Sequence, residues 1–95
     1  ELFLRALNGL LTHYVAMRDS ENGIPIAIRL LTLDRLREGV HRALMQFYLQ
    51  QGRRGAALKQ YEGCRSILRD ELNVEPEIEP EALWNSPREV VHPLG

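Results

Sequence analysis

Leu44-Met45-Gln46-Phe47-Tyr48-Leu49-Gln50-Gln51-Gly52-Arg53-Arg54-Gly55-Ala56-Ala57-Leu58-Lys59-Gln60-Tyr61 is the stretch that decides the fold of this chain. Its first part is amphipathic at helical spacing. With Leu36 and Val40 upstream, Leu44, Phe47 and Tyr48 form one apolar stripe as far as Gln51. Gly52 closes that helix, because glycine enters the left-handed conformation with little strain. A second stripe starts almost at once, with Ala57, Tyr61, Cys64, Leu68 and Leu72 on one face. So short a turn makes the two helices antiparallel neighbours. The pattern recurs 34 residues upstream: Leu10 corresponds to Leu44, Tyr14 to Tyr48, Gly23 to Ala57, Ile24 to Leu58 and Leu33 to Ile67. A period of this length belongs to stacked helix–turn–helix units. The spacing therefore predicts an all-α chain of two antiparallel helical hairpins, an architecture that offers extended binding surfaces.

The upstream hairpin opens with a helix over residues 2–17, with Phe3, Leu7, Leu10, Tyr14 and Met17 expected inward. Residues 18–23 are polar, end in Asn-Gly and read as a turn. Asn22 is the expected N-cap, and Pro25 then falls in the first turn of the second helix. That helix runs to Leu33 with Ile24, Ala27, Ile28 and Leu31 inward. Asp34 is expected to cap the third helix. In the fourth, Gly55 falls in the first turn and Gly63 is expected to permit close helix approach. Asn73 suits a left-handed C-cap with Val74 returning to Leu68, and Pro76 prevents continuation. Residues 75–79 read as extended. Pro80 and Pro87 bracket a short C-terminal capping helix over 81–86, whose Trp84 is expected to cover the open end of the fourth helix. The domain thus spans residues 1–86, and 87–95 read as a loosely ordered tail.

A length of 95 residues makes one domain. At 44% hydrophobic and 26% charged, the composition is that of a globular protein. A net charge of −1 provides no bulk attraction to nucleic acid or to a membrane. No apolar run approaches the roughly 18 residues of a membrane span, and no leader-peptide pattern is visible. The single cysteine, Cys64, leaves no intrachain disulfide and fits a reducing compartment, so a cytoplasmic location is expected. The chain starts at Glu1 and reads as a piece of a longer polypeptide. Charge is spread unevenly. Residues 29–69 carry nine basic and three acidic side chains, whereas 70–81 carry six acidic and no basic ones. Solvated faces with some mutual pairing are the expectation.

Leu44, Tyr48, Ala57, Tyr61 and Cys64 fall on the apolar, aromatic and small positions of a tetratricopeptide unit. Leu10, Tyr14, Gly23, Ala27 and Leu30 follow the same scheme less closely. Leu11 and Met45 stand where the motif has a small residue, and Arg35 and Arg69 where it often has proline. Five runs go further: Leu31-Thr32-Leu33-Asp34-Arg35-Leu36-Arg37-Glu38, His41-Arg42-Ala43-Leu44-Met45, Gln51-Gly52-Arg53-Arg54, Ala57-Leu58-Lys59-Gln60-Tyr61-Glu62 and Arg69-Asp70-Glu71-Leu72-Asn73-Val74-Glu75-Pro76. Together they resemble the bacterial transcriptional activator domain, the tetratricopeptide-like module of antibiotic-regulatory transcriptional activators. The likeness covers residues 2–84, with Asn73 where that family usually has glycine. It implies a tetratricopeptide-like stack and a regulatory role. In that family a DNA-binding winged helix commonly precedes the module, and these residues contain no such element. The module also accompanies ATPase, cyclase or phosphopeptide-binding domains, so the resemblance implies a regulator without fixing its output.

The residues offer little for chemistry. His13, His41 and His92 form no i, i+4 pair and Cys64 has no C-x-x-C partner, so no metal site is expected. Gly52-Arg53-Arg54-Gly55 lacks the spacing of a phosphate loop and the strand before it, so no cofactor is expected. Cys64 reads as a small core filler rather than a nucleophile. Glu75, Glu77, Glu79 and Glu81 alternate along an extended segment and are expected to face water. Trp84 and Tyr61 read as a capped core rather than a ligand site.

The expected function is therefore that of a non-enzymatic protein–protein interaction module. Its concave side would be lined by the first helix of each hairpin, with Arg5, Asn8, Thr12, Arg42 and Gln46 as partner-binding positions. Expected partners are other domains of the parent polypeptide, the transcription machinery, or a second copy forming a homodimer. Neither a membrane nor direct contact with nucleic acid is expected. The alternative is direct nucleic-acid binding through Arg35, Arg37, Arg42, Arg53 and Arg54. Against it, the third helix carries an apolar stripe, lysine is nearly absent, and Asp34 and Glu38 dilute the patch.

Overall fold

The computed structural model describes residues 2–77. Four helices follow in chain order: α1 (Leu2–Met17), α2 (Ser20–Leu33), α3 (Glu38–Gln50) and α4 (Arg54–Leu72). Each packs chiefly on the next, as a tetratricopeptide-like stack of hairpins requires. The expected capping helix over 81–86, with Trp84, and the tail over 87–95 lie outside the described residues.

Local chemistry sets the turns. Arg18 takes a left-handed conformation (φ 56°) and ends α1, its N–H donating to the Val15 carbonyl at 3.1 Å. The chain then needs only Asp19 before α2 begins. This corrects the expected six-residue turn. The N-cap is Asp19, whose carboxylate accepts from the Asn22 backbone N–H at 3.2 Å and from its side-chain amide at 2.8 Å. Asn22 is thus a capped residue inside the first turn, and Pro25 lies one turn deeper than the sequence suggested. Asp34 likewise does not cap α3. It closes α2, and its Oδ1 accepts from the Leu36 N–H at 3.2 Å, so residues 34–37 form a turn. Gly52 is left-handed (φ 75°) after α3, and Asn73 is left-handed (φ 57°, ψ 41°) after α4. The Asn73 N–H reaches the Arg69 carbonyl at 3.0 Å and the Val74 N–H reaches Leu68 at 3.4 Å, so the expected cap is present.

Two apolar clusters form the core. The larger joins Leu7 and Leu11 of α1, Ala27 and Leu30 of α2, and Val40, Ala43, Leu44 and Phe47 of α3. The smaller joins Met45 of α3 with Ala57, Cys64 and Leu68 of α4. Tyr48 packs against both. Full burial of a side chain such as Phe47 or Leu30 contributes about 1.5–3 kcal/mol. Leu44 and Tyr61, on facing stripes of the second hairpin, belong to different clusters, with Tyr61 packed against the smaller.

The buried face of α1 is also rotated from expectation. Leu7 and Leu11 are inside, while Phe3, Leu10 and Met17 form an exposed row. Ile28 and Leu72, expected inward, are exposed as well. The repeat explains Leu10. Its counterpart Leu44 is 1% exposed because the α1–α2 hairpin packs on it, whereas Leu10, with no preceding hairpin among the described residues, is 41% exposed. Gly63 mediates no close approach, since a Cβ there would meet nothing within 4 Å.

Candidate groove between the first helices

One face of α1 and one face of α3 border an open groove of about 660 Å³. Each helix contributes residues at i, i+3, i+4 and i+7: Asn8, Leu11, Thr12 and Val15 from α1, and Gly39, Arg42, Ala43 and Gln46 from α3. Arg37 stands at the entry to α3 and Val40 on the floor. The two walls are repeat equivalents, since Asn8 and Arg42 are 34 residues apart, as are Thr12 and Gln46. Four of the five sequence-derived positions, Asn8, Thr12, Arg42 and Gln46, line this groove. Arg5 does not, although its repeat counterpart Gly39 does.

Some of these polar groups are already engaged. The Asn8 amide donates to the Leu4 carbonyl and the Thr12 hydroxyl to the Asn8 carbonyl, both at 3.0 Å. The Arg37 Nε lies 3.3 Å from Asp34 Oδ2 and is buried without an aligned hydrogen bond. As a binding residue, Arg37 was expected from the sequence only in the nucleic-acid alternative. Its position three residues after Asp34 and five before Arg42 was the available signal for a wall residue held in place.

Acidic residues in the last turn of α4 and just after it meet the basic middle. Glu71 pairs with Arg35. Glu75 accepts from Arg69 at 2.9 Å and Arg65 at 3.1 Å. These two arginines, Arg69 foremost, hold its carboxyl below the usual range. The Glu77 backbone N–H donates to the Glu38 carboxylate. Among the other arginines of the alternative reading, Arg53 lies 4.8 Å over the Tyr48 ring and donates to Gln51 at 3.2 Å. Arg42 makes no ion pair among the described residues.

His41 is the one buried polar side chain among the described residues. Its Nε2 lies 2.9 Å from the Arg35 carbonyl, which can only accept, so Nε2 carries the proton. Its Nδ1 accepts from the Gln60 amide at 2.7 Å. The ring thus ties the turn before α3 to α4 and serves structure. Burial and the nearby Glu38 charge push the Cys64 thiol up to about 11, which suits a core filler and opposes thiolate chemistry. Among the described residues no three His, Cys, Asp or Glu side chains converge as a metal site, and no helix is long and apolar enough to cross a membrane.

No curated protein and no solved structure matches the chain. The family model described as bacterial transcriptional activator domain matches residues 1–86. With that match running from Glu1 through the helical stack, the chain belongs to the bacterial transcriptional activator domain family.

Proposed function

We propose that this domain is the non-enzymatic protein-docking part of a larger bacterial transcriptional regulator acting in the cytoplasm, and that the groove between α1 and α3 is its docking surface. Family membership supports the regulatory role. The observation that carries the docking surface is the groove itself, whose walls are repeat-equivalent faces with an apolar floor. Another domain of the same polypeptide or the transcription machinery would supply the partner. A second copy is the further partner, and the exposed row of Phe3, Leu10 and Met17 supports that contact.

The pairing of Arg35, Arg37 and Arg53 with groups of the chain itself favours protein docking over nucleic-acid binding. A photo-crosslinking residue tests the choice in the intact regulator. Placed at Gln46 it is expected to capture protein, and placed at Glu62 on α4 it is expected to capture none. Capture of nucleic acid at Gln46, together with a steep dependence of DNA binding on log salt, would overturn the reading.

A further inference from the structure

The groove has an aliphatic floor and a cationic rim. Leu11, Val15, Val40 and Ala43 form the floor, Arg37 and Arg42 stand on the rim, and no Asp or Glu lines it. Several arginines are already engaged by the chain itself: Arg35 pairs with Glu71, Arg65 and Arg69 with Glu75, and Arg29 and Arg53 lie over the Phe3 and Tyr48 rings. Arg42 has no carboxylate partner among the described residues and stands beside the apolar trough. Arg37 is pre-positioned by Asp34 at 3.3 Å. An arrangement of this kind selects a partner with carboxylates flanking an apolar side, because charge complementarity sets specificity and register.

We propose that the groove takes an acidic amphipathic helix of a partner protein. Its apolar side would lie on the floor and its carboxylates would reach Arg37 and Arg42. The assignment rests on the protein-docking reading above and adds the chemistry of the partner. The lining of α1 extends from Asn8 to Ala16. At about 1.5 Å per residue this is roughly 12 Å, so the groove engages about two turns of a helix.

Gly39 makes the test clean. It lines the groove, and a Cβ there would meet nothing within 4 Å, so a longer side chain changes the groove without crowding the core. The 95-residue chain is titrated by fluorescence anisotropy against a labelled helical probe of about 14 residues, with leucine along one side and glutamate elsewhere. A second probe carries lysine for glutamate. The acidic probe is expected to bind about tenfold tighter than the basic one. Gly39→Glu and Arg42→Glu should each weaken it severalfold, and Gly39→Arg should tighten it, while neither Gly39 variant melts below the parent, because Glu and Arg are better helix formers than glycine.

Equal binding of the two probes, or preference for lysine, overturns the acidic assignment while leaving the crosslinking test of protein docking to stand or fall separately. Binding abolished by Phe3→Asp but indifferent to Gly39→Glu moves the contact to the exposed row of α1 and also overturns it. Binding only after removal of residues 78–95 makes the chain's own acidic end the occupant, which overturns assignment to a partner protein.

Discussion

The ring of Phe47 on α3 occupies the space where a side chain at Gly23 on α2 would stand. A Cβ built at Gly23 overlaps three carbons of that ring, and Phe47 is fully buried. This contact sets how closely the two hairpins approach. Gly23→Ala should therefore destabilise the fold by about 1–3 kcal/mol, as overpacking does, although alanine is the better helix former by roughly 1 kcal/mol. Urea unfolding measures the loss. In a Phe47→Leu background the alanine penalty should shrink, because the pair is coupled. A stabilised Gly23→Ala protein would show that the approach is looser than described.

Cys64 gives a pH prediction. Its thiol is pushed from an ordinary value near 9 up to about 11, by burial first and the Glu38 charge second. The folded value exceeds the unfolded one, so the native state keeps a proton that the unfolded chain releases. The contribution is fully present below about pH 9 and is lost as pH rises toward about 11. Cys64→Ala should flatten that slope. At pH 8 an aromatic disulfide reagent should leave the native thiol untouched and titrate it once the chain is unfolded. Rapid labelling of the native protein would contradict this burial.

The end of α4 combines a backbone device with an ionic one. Asn73→Gly should be neutral or stabilising by up to ~1 kcal/mol, because glycine adopts the left-handed cap more easily. Glu75 closes the cap over Arg69 and Arg65. Its carboxyl is held low, so its contribution is present above the ordinary glutamate range and is lost as pH falls through the depressed folded value. The carboxyl carbon resonance of Glu75 should titrate below the ordinary glutamate range, and replacing Arg69 with Gln should move it back toward that range.

His41 should be worth more than its size suggests. Replacing it with leucine leaves the Arg35 carbonyl and the Gln60 amide without their partner, at a cost of about 1–3 kcal/mol. Gln60→Leu in the same protein should add less than it does alone. Nitrogen chemical shifts should show the Nε2-protonated tautomer, and the opposite tautomer would remove the bond to Arg35.

The four principal helices, the bounds of α1 and the left-handed positions 52 and 73 were legible, because each rests on residues close in sequence. The start of α2 was not. Asn-Gly at 22–23 carries a local turn signal, but its glycine is needed for a contact with Phe47 in another helix. The inward face of α1 was also ambiguous. Leucines at 2, 4, 7, 10 and 11 surround the helix, so only its neighbours decide which are covered. Placing the concave side on the first helix of each hairpin singled out Asn8, Thr12, Arg42 and Gln46, and these four line the groove. Arg5 does not line the groove, whereas its repeat counterpart Gly39 does.

Docking through the groove is tested most directly by transcription from the intact regulator carrying Gly39→Trp or Gly63→Trp. A Cβ at either glycine meets nothing within 4 Å and tryptophan is the better helix former, so neither variant should melt below the parent. Only Gly39 lines the groove. Docking through that face requires Gly39→Trp to abolish activation while Gly63→Trp leaves it intact. Full activation by Gly39→Trp, or loss confined to Gly63→Trp, would contradict it.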